Sequence, residues 1–342
     1  MIALTQTTTE RQGLVVRDFE PEDEPAVLEI LQLAFREWPR EMASADPGEF
    51  FRWKHLECPF GASAMYVAEV DGRVVGFEGR IPWRFVAGAG TLLASRGTDL
   101  AVHPSYQGRG ISLALRRAAV FGPEMAFTWS NPNRESLPGA LNFGRRLVGS
   151  VPRFVRPGGR LRSTILRAAG QEFAAPEQLP IDAPPARETL ADGAPLPLPL
   201  PVRGAGGAAR RLSTDRDGDY LGWRYAFPDY RAVRGRTRGG EEGIAIFRAR
   251  RWGRLWGLDV CELIVERGDA RLTSSLLGEV SRAAPADFVR CSFPSRAVAA
   301  RHGFIQYPGR TALVSTPLRE RIEPDPTRLS SWALTGGDLE LL

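Results

Sequence analysis

Cysteine, histidine and lysine are scarce, and each scarcity removes a class of chemistry. The three cysteines, Cys58, Cys261 and Cys291, stand far apart with no paired spacing, so neither a disulfide framework nor a zinc cluster is written into the chain. The three histidines, His55, His103 and His302, have no metal-ligand spacing to one another or to a cysteine, and metal-free chemistry is expected. No stretch approaches the ~18 uninterrupted apolar residues of a membrane span. The opening MIALTQTTTERQ lacks an apolar segment behind a basic head. A cytoplasmic protein with no membrane partner is the expectation. Lys54 is the only lysine, and arginine supplies the rest of a net charge of +5. That balance suits an anionic ligand such as a phosphorylated cofactor, or a nucleic acid drawn to the arginines between Arg231 and Arg254. Such an arginine bias more often reflects genome composition, so a nucleic-acid partner is not expected.

At 342 residues and 43% hydrophobic content, the chain is long enough for two domains. Residues 14–19, LVVRDF, read as a strand. Pro25 then sits where a first helical turn accepts it, and Val27, Ile30, Leu31, Ala34 and Phe35 fall on one helical face. MYVAEV and RVVGFEG, separated by Asp71 and Gly72, predict a hairpin with a type I′ turn. IPWRFVAG (81–88) and TLLASRGTDLAV (91–102) extend an antiparallel sheet. Between about 171 and 207 the apolar periodicity fades into proline- and alanine-rich sequence, including PLPLPLP, which predicts a connection.

Two segments recur in the same order. FFRWKHLECPF (50–60) is echoed by DYLGWRYAFPDY (219–230), and NPNRESLPGALNFGRR (131–146) by FPSRAVAARHGF (293–304). The second half thus reads as a structural copy of the first.

The chemistry concentrates in DLAVHPSYQGRGISLALRRAAV, residues 99–120: a strand, a turn at His103 and Pro104, and a Gly-rich loop opening into a helix whose Ile111, Leu115 and Ala118 share a face. Gly108 and Gly110 remove Cβ obstruction, and the first helical N–H groups have no intrahelical acceptor, so the loop makes an anion site. Arg109 adds a charged donor. A phosphate-binding Gly-Lys-Ser/Thr loop requires a lysine that is absent, and the dinucleotide pattern G-x-G-x-x-G fails at Leu113.

The loop resembles the acyl-CoA motif of the GNAT acetyltransferase superfamily, Q/R-x-x-G-x-G/A, carried here by Gln107, Gly110 and Ser112. Ser112 departs from the usual Gly or Ala but is small. The resemblance covers most of the first half and, in weaker form, residues 212–314. It implies an α/β chain of two tandem GNAT-like folds, each a mostly antiparallel mixed sheet flanked by helices. It further implies acetyl-CoA as co-substrate, held by Ala101, Val102, Gln107, Gly108, Arg109, Gly110, Ile111, Ser112 and Asn133, with Ala101 and Val102 acting through the main chain of a bulged strand.

GNAT enzymes transfer the acyl group by direct attack of an amine on the thioester, so a base and an acid are required. Asp99 is the first candidate base and Glu78 the second. Either can act through water with an ordinary pKa, or have that pKa raised by burial, or be held in an ion pair with Arg96 or Arg80. The family pattern N-x-x-A-x-x-x-Y-x-x-x-G-F gives Asn133, Ser136, Ala140, Gly144 and Arg145, so the tyrosine acid is missing. Asn133 reads equally as a helix N-cap.

The expected organisation is an acyltransferase domain at 12–165, a linker at 166–207, a degenerate GNAT-like domain at 208–317 and a tail at 318–342. The segment matching the loop in the second half, CELIVERGDARLTSSLLGEV, has only the turn Arg267, Gly268, Asp269 and no second glycine. The expected activity is N-acetyl transfer to a primary amine on a small molecule, an amino sugar or a protein terminus, the first two favoured. The other reading is a non-catalytic acyl-CoA-binding regulatory module.

Overall fold

The computed structural model describes residues 13–35, 38–39, 45–88, 90–158, 178–191 and 209–339. Most of the expected linker, including PLPLPLP, and the last three residues of the expected tail lie outside these.

In the first half the strands are β1 (Leu14–Asp18), β2 (Ala64–Val70), β3 (Arg73–Gly88), β4 (Gly90–Val102), β5 (Met125–Ser130) and β6 (Arg146–Pro157). The helices are α1 (Glu24–Phe35), α2 (Pro47–His55), α3 (Ile111–Ala118) and α4 (Ser136–Asn142). The rest of the chain supplies β7 (Ala209–Thr214), β8 (Tyr230–Arg236), β9 (Glu242–Trp252), β10 (Leu255–Val265), β11 (Phe288–Cys291) and β12 (Ile305–Pro317). Its helices are α5 (Ala186–Ala191), α6 (Gly218–Arg224), α7 (Ala270–Arg282), α8 (Arg296–Arg301) and α9 (Gly336–Leu339).

The twelve strands of the described residues join one sheet, in the order β1-β2-β3-β4-β5-β12-β6-β11-β10-β9-β8, with β7 on the far end of β3. Two junctions are parallel, β4 with β5 and β10 with β11, and they occupy matching places in the two halves. All other pairs are antiparallel, giving the mixed, mostly antiparallel sheet flanked by helices that the sequence predicts.

At the centre the halves trade strands. β12 pairs with β5, β6 pairs with β11, and β6 and β12 pair with each other. A second two-fold-like contact joins the repeated segments. Trp53 Nε1 donates to the Trp223 carbonyl at 2.7 Å and Trp223 Nε1 to the Trp53 carbonyl at 2.9 Å, with the rings stacked at 5.0 Å. Reciprocal bonds of this kind require matching residues on both sides, which the FFRWKH and YLGWRY echo provides.

Local sequence explains the elements that frame the site. Asp71 and Gly72 take φ +51° and +76°, the two positive values a type I′ turn needs, and β2 and β3 close over them. Asp46 caps α2 by accepting from the Glu49 amide at 2.9 Å. In α1, Val27, Ile30 and Leu31 are buried against the sheet, whereas Phe35, expected on that face, is exposed at the helix end. On the α1–α2 face of the sheet Phe50, Phe51, Phe77, Trp83 and Trp129 share one core with Tyr220, Leu221, Tyr225 and Tyr230 of the second half. On the opposite face Val75, Val102, Ile111 and Leu115 form a separate core beneath α3.

Candidate functional site

The Gly-rich loop is held open by its own chain. The His103 amide donates to the Val75 carbonyl at 2.9 Å, and the Gln107 amide nitrogen Nε2 donates to the Val102 carbonyl at 3.2 Å, which anchors the turn to β4. Gly108 and Gly110 take φ +76° and +81°, and a Cβ at either would meet nothing within 4 Å. Gly110 is the N-cap of α3, so no side chain caps the helix. The first helical bonds run from Leu113 and Ala114 to the Gly110 carbonyl. The amides of Gly108, Arg109, Gly110, Ile111 and Ser112 therefore have no acceptor among the described residues. Five outward donors at the positive end of a helix are an anion cradle.

The side chains around the cradle divide in role. Arg109 lies over the Tyr106 ring at 5.0 Å and donates to the Ser105 carbonyl, and Ser112 is exposed. Ile111 is buried beside Gly76, so only its amide faces outward.

From the loop, β4 runs back beside β5. Their pairing covers only Leu93–Arg96 on β4, and beyond Arg96↔Trp129 the strands part. Toward β3 the ladder continues through Ala101↔Phe77 and Val102↔Gly76, with a bulge where Asp99 and Leu100 together oppose Glu78. Ala101 and Val102 are buried in side chain, and their main chain lines the parted edge.

Asp99 takes φ +51° at this bulge and turns its carboxylate to the α2 face. Lys54 Nζ lies 2.7 Å and His55 Nε2 3.0 Å from Asp99 Oδ2, and His55 Nδ1 meets Ser63 Oγ at 3.0 Å. Burial alone raises the Asp99 carboxyl, but the Lys54 charge and the His55 hydrogen bond outweigh it and hold the group down to about 2. Burial pushes the Lys54 ammonium down, and Asp99 restores only part of that loss. The His55 ring is also lowered by burial and stays neutral near pH 7. Asp99 is thus ion-paired with Lys54 and hydrogen-bonded to His55, where the sequence suggested an ion pair with Arg96 or Arg80.

Glu78 lies on the other face of the sheet, beneath α3. Arg80 Nη2 donates to Glu78 Oε1 at 2.8 Å, both residues are buried, and Glu78 Oε2 and Arg80 Nε and Nη1 have no partner among the described residues. Asp99 and Glu78 therefore flank one bulge from opposite faces and do not touch the same space. Asn133 lies apart from both. Its Oδ1 accepts from the amides of Glu135 and Ser136 and from Ser136 Oγ, the pattern of a helix N-cap.

Three residues at the fork between β4 and β5 have no signature in the sequence. Arg96 is 1% exposed, sits between the Trp83 and Trp129 rings at 4.7 and 4.5 Å, and donates to Asn131 Oδ1 at 3.2 Å. Asn131 Nδ2 donates to the Leu339 carbonyl at 2.8 Å, which brings the end of the described chain to the fork. Lys54, the third, stands 45 positions before Asp99 in the chain. Its status as the only lysine was the one available signal.

The second half repeats the frame with different chemistry. β10 has a bulge between Val260 and Glu262, and Tyr225 Oη donates to Glu262 Oε1 at 3.0 Å, as His55 meets Asp99. At the start of α7, however, Asp269 is the N-cap and its Oδ1 accepts from the Leu272 amide at 2.7 Å. A carboxylate fills the place that Gly110 leaves empty. A cavity of about 480 Å³ in the second half, bounded by Pro184, Ala232, Arg234 and Glu279, touches none of the loop or bulge residues. Among the described residues no group of three or more His, Cys, Asp or Glu is placed to hold a metal, and no helix is long and apolar enough to cross a membrane.

Residues 15–120 match the family model described as an acetyltransferase (GNAT) domain. No curated protein matches the sequence. Among solved structures, the chain is similar to a protein from Enterococcus faecalis V583 described as a probable N-acyltransferase, with a TM-score of 0.61 and 13% identity, covering 89% of this chain and 73% of that one. A GCN5-related N-acetyltransferase from Anabaena variabilis gives a TM-score of 0.57 at 13% identity, covering 88% and 72%. Eis1 from Mycobacterium abscessus gives 0.52 at 15% identity, covering 89% and 73%. At these identities the likeness is one of fold.

Proposed function

We propose, from the match of residues 15–120 to an acetyltransferase (GNAT) domain, that the chain is an N-acyltransferase moving an acetyl group from acetyl-CoA to a primary amine in a ternary complex. The observation that carries this reading is the run of five unpaired amides from Gly108 to Ser112. A diphosphate accepts from them, each favourable charge contact with the helix end contributing ~0.3–1 kcal/mol. Arg109 adds a donor, Gln107 fixes the turn, and the main chain of Ala101 and Val102 guides the arm toward the fork. Asn133 serves the same groove through the side-chain nitrogen that its capping role leaves over. The donor site is assigned to the domain at 12–165. The segment at 208–317 is a degenerate copy that lost cofactor binding and supports the first, joined to it through 166–207 and followed by the tail from 318.

The thioester is placed where β4 and β5 part, beside Gly97 and Asp99. The amine nitrogen attacks the carbonyl carbon, a C–N bond forms, the C–S bond breaks, and the ammonium proton leaves. Asp99, ionised throughout the neutral range, orients the ammonium and passes its proton to water. Glu78, on the other face with Oε2 buried and unpaired, is the alternative acceptor for an amine that enters from the α3 side. Ala140 stands where the family places a tyrosine, so water protonates the departing thiolate. The acceptor is a small amine or amino sugar, and the protein works in the cytoplasm.

Calorimetry with acetyl-CoA, together with free-thiol release over a panel of amines, tests this reading. Gly110→Trp is expected to abolish binding in a folded protein, and retained affinity would falsify the loop assignment. The missing tyrosine favours one rival, a regulatory module that binds acyl-CoA without turnover. Binding without thiol release from any acceptor would establish that rival.

A further inference from the structure

The α3 face of the fork holds more positive charge than it can neutralise. Arg80, Arg116 and Arg145 gather around Glu78, the one carboxylate among them, and both Arg116 and Arg145 feel the charges of Glu78 and Arg80. Arg80 is 3% exposed, and two of its three nitrogens lack partners. The guanidiniums of Arg116 and Arg145 make no hydrogen bond or ion pair with any described residue, and each reaches only the Phe143 ring, at about 6 Å. Burial followed by repulsion from Arg80 pulls the Arg145 guanidinium down to about 10, and burial lowers Arg116 in the same direction. Arg80 is buried and Arg116 and Arg145 are half-buried, and desolvated cations of this kind are unfavourable unless an anion joins them.

The same place offers room. Arg80 pairs in register with Gly97, the first β4 residue past the last β4–β5 pair, and a Cβ at Gly97 would meet nothing within 4 Å. The cluster is distinct from the phosphate cradle. Arg116 lies six residues beyond Gly110, about 9 Å along the helix at ~1.5 Å per residue.

Resting on the donor site proposed above, we infer that Arg80, Arg116 and Arg145 form a carboxylate-binding subsite beside Gly97, and that one substrate of the transfer carries the matching carboxylate. Planar guanidinium groups bind carboxylates in a bidentate fashion, and a single carboxylate fits beside the Glu78 already present. The carboxylate belongs either to the acyl group, as in a dicarboxylic acyl-CoA, or to the amine, as in an amino acid.

Two matched pairs separate these sources in the full chain: succinyl-CoA against acetyl-CoA in Kd, and phenylalanine against phenethylamine in KM with acetyl-CoA. One pair is expected to favour the carboxylated member by about tenfold or more, the scale of one charged hydrogen bond. Arg145→Met, at a partly exposed position, is expected to bring that ratio close to one. The double variant Glu78→Gln with Arg80→Met, which leaves no unpaired carboxylate, repeats the test from the buried side. Ratios near one for both pairs in the unaltered protein, or a ratio unmoved in both variants, overturn the subsite alone and leave the donor site standing. Failure of every CoA ester to bind overturns both.

Discussion

At the head of α3 the cap is Gly110, with no side chain and open amides. At the head of α7 the cap is Asp269, whose carboxylate accepts from Leu272. The bulged strands diverge in the same way. Asp99 is held down to about 2 by Lys54 and His55, whereas burial raises Glu262 despite Arg216 and with Asp338 adding to the rise. Asp338 lies on α9, which packs Gly336 against the Val260 carbonyl and Gly337 against Tyr225 Oη and Glu262. One backbone plan therefore supports an open site in the first half and a filled one in the second. Side chains at a few positions decide which.

The largest expected effect comes from breaking the cluster behind the first bulge. Lys54→Met leaves Asp99 buried without its ammonium and should lower stability by about 3–5 kcal/mol, read as a shift in the denaturation midpoint. Gly110→Asp gives the first half the cap of the second. Aspartate tolerates positive φ better than most residues, so the fold should persist while acetyl-CoA affinity falls about 10- to 100-fold by calorimetry. Affinity within twofold of the unaltered protein would remove the cap as the difference between the halves.

Acid titration sharpens the contrast between the two carboxylates. Asp99 is depressed from 3.8 to about 2, so its contribution is complete above pH ~4 and is lost as pH falls through 2. The contribution is on the order of 2 kcal/mol. Asp99→Asn should therefore flatten the acid limb of the stability curve, and an unchanged limb would contradict the pairing. The smallest effect concerns the two-fold contact. Trp53→Phe and Trp223→Phe each remove one N–H donor to a carbonyl and should cost about 1 kcal/mol apiece, nearly equally, in thermal unfolding. A clear inequality would show that the contact is not reciprocal in energy.

Much of the first half is legible because its signals are local. Asp71 and Gly72 fix a turn between adjacent strands, Pro25 and the apolar spacing fix α1, and Gly108 and Gly110 fix the loop within four residues. The repeat FFRWKH and YLGWRY also marked corresponding segments, which fold as α2 and α6, and it is there that Trp53 and Trp223 meet. What the sequence does not display is pairing at a distance. β6 and β12 have ordinary strand patterns that do not name their partners, so their exchange between halves is invisible in the residues. Lys54 looks like a surface cation in its own helix, and only the fold brings it under Asp99. Arg80, Arg116 and Arg145 come from a strand, a helix and a loop, with no motif to join them.

The traded central strands tie the fates of the halves together. A chain cut between residues 158 and 209 yields two pieces, each holding a strand that completes the other's sheet and neither able to cover its own inner edge. Such pieces belong together as a reconstituted pair. The second half cannot then be discarded, because the first half borrows β12 from it.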